Sequence, residues 1–382
     1  MLNLCTVNPF VIDVPAPAED LIDRAGELER LAGLAEGGHN ARLIAPRRYG
    51  KTTLLSRLGE EAERRGMRSV YVDFFGVITL DDVATRIDRA YTDALKGSLA
   101  SWYAGVRRRW RLKGKVGVGG TGAEAESLLA GEAGELLTDV LDLPKRLHER
   151  DGLRTLVMMD EFQEILTAAD SADAVIRSSI QHHRDEASYV FAGSHPGLMG
   201  ELFGGRGRPL YGQSREIQLH PLGDEDLAEY VEARFARSGR SAGAVMEDLL
   251  DLVRGHPQRA MLLAHHLWEA AGTRPPGPEE WGVAVAAAFS ELQEAFERYW
   301  ERLSTNERRV LAAVAWTGKW GLGTSLLAKD TLERFRLSKS TARSVSGQLV
   351  REGELQRLED GGYQLVDPVL EAWVASDRRA RT

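Results

Sequence analysis

Ala45-Pro46-Arg47-Arg48-Tyr49-Gly50-Lys51-Thr52-Thr53-Leu54-Leu55 follows the apolar pair Leu43-Ile44 and opens onto a helix-like run beginning at Leu54. A strand, a tight turn and a helix start, in that order, make a P-loop. Its backbone N–H groups wrap a chain of phosphates, and the positive end of the helix dipole faces them. In such a loop Lys51 reaches the β- and γ-phosphates and the Thr52 hydroxyl takes Mg²⁺. The expected nucleotide contacts are therefore Ala45, Pro46, Arg47, Arg48, Tyr49, Gly50, Lys51, Thr52 and Thr53. The pattern asks for Gly at its first position, where this chain has Ala45; one added methyl is expected to be tolerated. The bland alternative is a chance Gly-Lys-Thr at a strand–helix junction, and a second motif argues against it.

That second motif is Leu156-Val157-Met158-Met159-Asp160-Glu161-Phe162. An apolar run ending in an acid reads as a buried parallel strand with its carboxylate at the carboxyl end, where open α/β sheets place ligands. Asp160 is expected to hold Mg²⁺ through its water shell, and Glu161 to take a proton from the attacking water. An Asp-Glu pair after apolar residues is commonplace by itself. Paired with an upstream P-loop it is specific.

The 382 residues suffice for two or three domains. A net charge of −8 gives no global attraction for nucleic acid, so any DNA contact must come from local patches. The single Cys5 rules out a disulfide framework and a cysteine zinc site, and it suits a reducing cytosol. The N-terminal residues show no basic segment followed by an apolar core, and no apolar run approaches the ~20 residues that span a bilayer. The expectation is a cytoplasmic protein without membrane contact.

Five strands alternate with helices: 41–44, 68–74, 156–160, 189–192 and 216–219, which argues for a parallel, doubly wound sheet. The path from the second strand to the third is longer than one crossover needs, so residues 97–135 read as an insertion. It carries Arg107-Arg108-Arg109-Trp110-Arg111, Lys113 and Lys115, then a Gly-rich stretch. Such a run either grips a nucleic acid or is a solvated segment that snorkels its arginines. Residues 223–272 read as helices, with Asp224 and Ser241 as expected caps. After the break at 272–278 come a long helix, a capping box at Ser304-Thr305-Asn306-Glu307, two further helices, and a hairpin around Asp360-Gly361-Gly362. Three helices and a two-stranded hairpin are the plan of a winged helix.

The order of these features resembles the prokaryotic archaeal-type ATPases of the signal-transducing (STAND-like) branch of the AAA+ superfamily. The likeness runs from Asn8-Pro9-Phe10 to about Trp373. It rests on Pro46–Thr52, Asp160-Glu161-Phe162-Gln163-Glu164, Phe191-Ala192-Gly193-Ser194, Leu219-His220-Pro221-Leu222, Gly255-His256-Pro257 and Asp367-Pro368. The resemblance implies a P-loop domain with a five-stranded parallel sheet (1–222), a helical lid (223–278) and a winged-helix domain (279–382). It implies Ser194 as a polar sensor on a strand inserted between those of the P-loop and Asp160, and Pro257 packed near adenine. Gln258 stands where many relatives place an arginine on the γ-phosphate, with Arg259 beside it as a substitute. An arginine acting from another copy has Arg206, Arg208 and Arg215 as candidates, and nothing selects among them.

ATP and Mg²⁺ are the expected ligands: no Asn-Lys-x-Asp motif that reads guanine is present, and the resemblance implies adenine. Two functions remain open: a slow ATPase whose hydrolysis resets a switch, or a nucleotide-gated binding module in which hydrolysis is incidental. DNA is a candidate partner through the winged helix or the basic insertion. Arg336, Lys339, Arg343, Arg351 and Arg357 favour it, and Glu333, Glu352, Glu354, Glu359 and Asp360 nearly cancel them. A protein partner or self-association is the alternative. His182-His183 are adjacent and so face different sides of a helix, and His265-His266 read as lid-packing residues.

Overall fold

The computed structural model describes residues 7–12, 21–113, 135–169, 171–272, 274–320 and 325–376. In chain order come α1 (Ala25–Glu36), β1 (Ala41–Ile44), α2 (Lys51–Arg64), β2 (Arg68–Asp73), α3 (Leu80–Ala94) and α4 (Gly97–Lys113). Then follow α5 (Leu143–Asp151), β3 (Thr155–Asp160), α6 (Ile165–Ala168), α7 (Ala172–Ile180), β4 (Ala187–Gly193), α8 (Pro196–Gly204) and β5 (Arg215–Gln218). The remainder is α9 (Asp224–Arg237), α10 (Met246–Val253), α11 (Pro257–Ala270), α12 (Pro278–Arg302), α13 (Thr305–Trp320), α14 (Lys329–Arg334), α15 (Lys339–Glu352), β6 (Leu355–Arg357), β7 (Tyr363–Leu365) and α16 (Pro368–Ser376). Among these, no helix is long and apolar enough to cross a membrane.

Two compact units emerge: one of residues 24–45 and 51–219, the other of 1–23, 46–50 and 220–382. The first holds a five-stranded parallel sheet in the order β2-β3-β4-β1-β5. Every residue of β3 and β4 is buried, as a central strand covered on both faces requires. The edge strand β2 instead alternates, with Val70 and Val72 buried and Tyr71 and Asp73 outward. β4 therefore lies between the P-loop strand and the Asp160 strand, as the resemblance implies. β3 ends at Asp160, and Ser194 directly follows β4, so both reach the same carboxyl edge of the sheet.

The expected insertion divides at residue 113. Residues 97–113 form α4, which packs on α3: Tyr103 stacks edge-on against Tyr91 and donates to Asp88 at 2.7 Å. The Gly-rich stretch and Lys115 lie outside the described residues. Trp110 turns its ring onto Tyr103, with centroids 6.0 Å apart, and Arg107 pairs with Asp88 at 2.7 Å, so the Trp and the first arginine serve packing. Arg108 and Arg109 are exposed.

The second unit is helical and closes with the antiparallel β6–β7 hairpin. One apolar core joins Leu227, Leu263, Ala288, Val314, Leu349 and Trp373 across it. The capping box is present: Glu307 N–H donates to Ser304 Oγ at 3.3 Å, and Ser304 N–H to Glu307 Oε2 at 2.6 Å. Two expected caps are corrected. Asp224 is the first helical residue and Gly223 the cap, because three acids in the first turn already meet the helix dipole. Ser241 accepts from Gly243 N–H at 3.1 Å and shapes a 3-10 turn, Gly243–Val245, so α10 starts only at Met246.

Candidate functional site

Helix α2 begins at Lys51, which places Lys51 and Thr52 in its first turn with their backbone N–H groups free of intrahelical partners. Just before it, Arg48 and Gly50 adopt left-handed backbone at φ 67° and 81°, with Tyr49 between them. Alternation of this kind turns successive N–H groups toward one side, the form of an anion-binding nest. Glycine meets that φ at Gly50 without strain. Ala45 has no positive φ and is fully buried, donating its N–H to Gly193 O at 3.2 Å, so nothing at the first motif position demands glycine.

The acids sit opposite Lys51. Its ammonium, 6% exposed, lies 2.7 Å from Asp160 Oδ1 and 2.6 Å from Glu161 Oε1. Thr52 Oγ1 donates to Asp160 Oδ2 at 3.2 Å. The two motifs therefore form one cluster on the carboxyl edge of β3. Thr53, also in the first turn of α2, is buried.

Glu161 follows the strand at φ 48°, a left-handed conformation that a non-glycine residue adopts only when its surroundings hold it there. Below it, Phe162 is fully buried against Phe191, Phe203 and Phe74, at centroid distances of 4.6, 5.8 and 6.3 Å. That aromatic anchor fixes the turn. Above it, Glu161 Oε2 accepts from Ser194 Oγ at 2.7 Å and from Gln163 Nε2 at 2.6 Å. Burial pushes the Glu161 carboxyl up, but Lys51, Gln163 and Ser194 together outweigh it and hold it below the usual range. The carboxylate is thus ionised and aimed.

Sequence reasoning missed three members of this cluster. Gln163 holds Glu161, and its Nε2 also lies 3.3 Å from His195 Nδ1; Ser194 Oγ lies 3.3 Å from the same nitrogen. Gly193 is small because an added Cβ there would come within 2.6 Å of Gln163 Oε1. Tyr71, from β2, donates to Asp160 Oδ2 at 3.0 Å. Gln163 stood in the quoted acidic stretch, yet only the 3-10 turn at Phe162–Glu164 shows which way it reaches.

Mg²⁺ fits this donor set. It binds through one or two carboxylates and a hydroxyl, keeping waters and phosphate oxygens for its other positions. Asp160 and Thr52 supply those groups, already 3.2 Å apart. Among the described residues there is no group of three or more His, Cys, Asp or Glu that could hold a metal ion.

In the helical unit, Tyr49 packs edge-on against His256, ring centroids 4.9 Å apart. His256 caps α11, its Nδ1 accepting Arg259 N–H at 3.3 Å, and Pro257 occupies the first helical position. Burial above all drives the His256 imidazole down to about 4. Arg259, 1% exposed, donates its Nε to both oxygens of Asp367 at 3.0 Å. That pairing engages Nε and Nη2 of Arg259 and leaves Nη1 without a hydrogen-bond partner. Gln258 Oε1 is buried without a hydrogen-bond partner. Arg48 is held below its ordinary pKa by burial first and Arg259 next, with Asp367 opposing. Among the candidate trans-acting arginines, Arg208 pairs with Glu201 and with Asp173. Three of the four paired histidines have partners: His183 Nδ1 lies 2.7 Å from Tyr189 Oη, His265 Nδ1 2.9 Å from Phe10 O, and His266 Nε2 2.9 Å from Glu291.

No protein family and no curated protein matches the chain in sequence. Solved structures do match in shape. A Walker-type ATPase of Pyrococcus abyssi is similar at a TM-score of 0.64 and 16% identity, over 96% of this chain and 99% of that one. The ORC2 protein of Aeropyrum pernix, in ADPNP–ADP complexes, is similar at 0.58 and 16% identity, over 97% and 98%. At such identity the likeness shows the fold alone: a five-stranded parallel sheet with its helices, followed by a helical unit.

Proposed function

We propose that this chain binds ATP with Mg²⁺, hydrolyses it slowly, and works as a nucleotide-driven switch in the signal-transducing branch of the AAA+ ATPases. The observation that carries this reading is the joint engagement of Lys51 with Asp160 and Glu161 at 2.7 and 2.6 Å, beside Thr52 on the same aspartate. Lys51 and the N–H groups of the loop 45–53 bind the triphosphate. Asp160 and Thr52 hold Mg²⁺, which supplies positive charge against the phosphates.

Glu161 accepts the proton of the attacking water as its oxygen bonds to the γ-phosphorus and the bond to the ADP oxygen breaks. Ser194 and Gln163 orient Glu161 for that transfer, and Lys51 offsets charge on the transferring group. ATP affinity by calorimetry, together with steady-state phosphate release from wild type and Glu161→Gln, tests the assignment. Tight binding with turnover only in wild type supports it.

The switch reading draws on Tyr49, which packs on His256, and on Arg48, which feels the charges of Arg259 and Asp367. A change at the phosphate loop would reach the start of α11 through these residues. Pro257, at the start of α11, is assigned to the adenine side. We assign the lid to 223–278 and a winged helix to 279–382, the hairpin β6–β7 being its wing. Arg336, Lys339, Arg343, Arg351 and Arg357 are exposed along α15 and the hairpin, and Glu354 is withdrawn to partial burial, which favours duplex DNA as a partner. The exposed Glu333, Glu352, Glu359 and Asp360 favour a basic protein surface instead, the second reading. The chain is placed in the cytoplasm on its cysteine content.

A further inference from the structure

Both oxygens of Asp160 are committed. Oδ1 accepts from Lys51 Nζ at 2.7 Å and from Glu161 N–H at 2.8 Å. Oδ2 accepts from Thr52 Oγ1 at 3.2 Å and from the Tyr71 hydroxyl at 3.0 Å. Three of these donors come from the two motifs themselves. Tyr71 comes from the neighbouring edge strand, 89 residues away in sequence.

Strand register explains the reach. Asp73 pairs with Asp160 and Tyr71 with Met158, so Tyr71 stands one pleat below the acid on the same face. A side chain starting there must be long to arrive at Asp160. The phenol spans the gap; Phe lacks the oxygen, and Ser or Thr is too short. Packing does not demand a tyrosine here either, since Val70 and Val72 serve the core on the opposite face and Tyr71 is 38% exposed. It shares Asp160 Oδ2 with Thr52 Oγ1. The phenol and the threonine hydroxyl therefore meet on one carboxylate oxygen.

We propose that Tyr71 is a positioning residue that holds the Asp160 carboxylate and the Thr52 hydroxyl facing a single divalent cation bound with nucleotide. This rests on the nucleotide-site reading above. Lys51 holds Asp160 through Oδ1, and Thr52 would supply its hydroxyl oxygen to the cation. Tyr71 is then the donor that keeps Oδ2 from swinging. Mg²⁺ demands near-ideal octahedral geometry, which makes a pinned carboxylate worth having.

Titration of Mn²⁺ into the protein–ADP complex, with protein in excess over nucleotide and free Mn²⁺ read by electron paramagnetic resonance, tests the role. Outer partners of metal ligands typically contribute about 10–100-fold in affinity, so Tyr71→Phe is expected to weaken Mn²⁺ by that factor. Its thermal midpoint in EDTA without nucleotide is expected to match wild type. Unchanged Mn²⁺ affinity in Tyr71→Phe overturns the Tyr71 role and leaves the site reading intact. Loss of Mn²⁺ affinity together with a lowered midpoint in EDTA assigns the hydroxyl to packing and overturns the role as well. A wild-type complex that takes up no Mn²⁺, or a Thr52→Ala variant that binds it normally, overturns the site reading itself and Tyr71 with it.

Discussion

Lys51 Nζ lies 2.6 Å from Glu161 Oε1, so the lysine assigned to phosphate is also the counter-ion of the acid assigned to water. Asp160 shares that ammonium at 2.7 Å. One cation against two carboxylates leaves the cluster a net negative charge. Binding a polyphosphate there means drawing Lys51 away from Glu161 and adding further negative charge.

Nucleotide binding should therefore depend strongly on the divalent cation. Two carboxylates within a few ångströms of a phosphate repel it by at least about 1 kcal/mol each, even at the dielectric of water. ATP affinity measured by calorimetry in EDTA is expected to be roughly tenfold or more weaker than with Mg²⁺. Equal affinities in the two buffers would contradict the assignment of Asp160 and Thr52.

Glu161→Gln keeps the shape and the bond from Ser194 but removes the proton acceptor. Turnover is expected to fall by about 10²–10⁴ with ATP affinity retained. Unchanged phosphate release would show that Glu161 is structural.

Acid sensitivity should trace to His256. Its ordinary pKa is 6.5, the fold lowers it to about 4, and Nδ1 must stay unprotonated to accept the Arg259 N–H. Burial is the main cause; Arg259 and Arg48 add to it and Asp367 opposes. Between those values the unfolded chain binds more protons than the folded one, so stability declines as pH is lowered through that window, by at most about 1.4 kcal/mol per unit. Asp367, whose carboxyl is lowered, contributes stability that is lost only at still lower pH. Thermal midpoints at pH 7 and pH 5 are expected to differ more for wild type than for His256→Asn, whose amide oxygen caps α11 without titrating. Identical pH dependence would remove His256 as the source.

DNA contact through α15 has a salt signature. Each phosphate contact contributes a slope of about −0.9 to log K against log salt. Duplex binding is expected to weaken linearly on that scale, and Arg343→Ala to lower the slope by about one contact. Absent binding, or a flat response, favours the protein-contact reading.

The two motifs were legible because each is a contiguous run whose local structure delivers its residues: a turn into a helix for Lys51 and Thr52, a buried strand end for Asp160 and Glu161. The position of Ser194 was legible through the resemblance. Tyr71 was not, because its role exists only through the pairing of Asp73 with Asp160, and register is invisible in one strand alone. Likewise the pairing of Arg259 with Asp367 spans 108 residues and depends on how helices pack. For the basic run at 107–111 a nucleic-acid grip and a helix covering its arginines both stood open; the run is helical, and that periodicity turns Trp110 onto Tyr103.

The central claim is that the loop ending in Lys51 binds a triphosphate. Calorimetric titration of Mg-ATP into wild type and Lys51→Ala tests it most directly. Saturable binding by wild type and its loss in the variant, with both proteins folded, is the predicted result; no heat from wild type, or equal affinity in the variant, would contradict it.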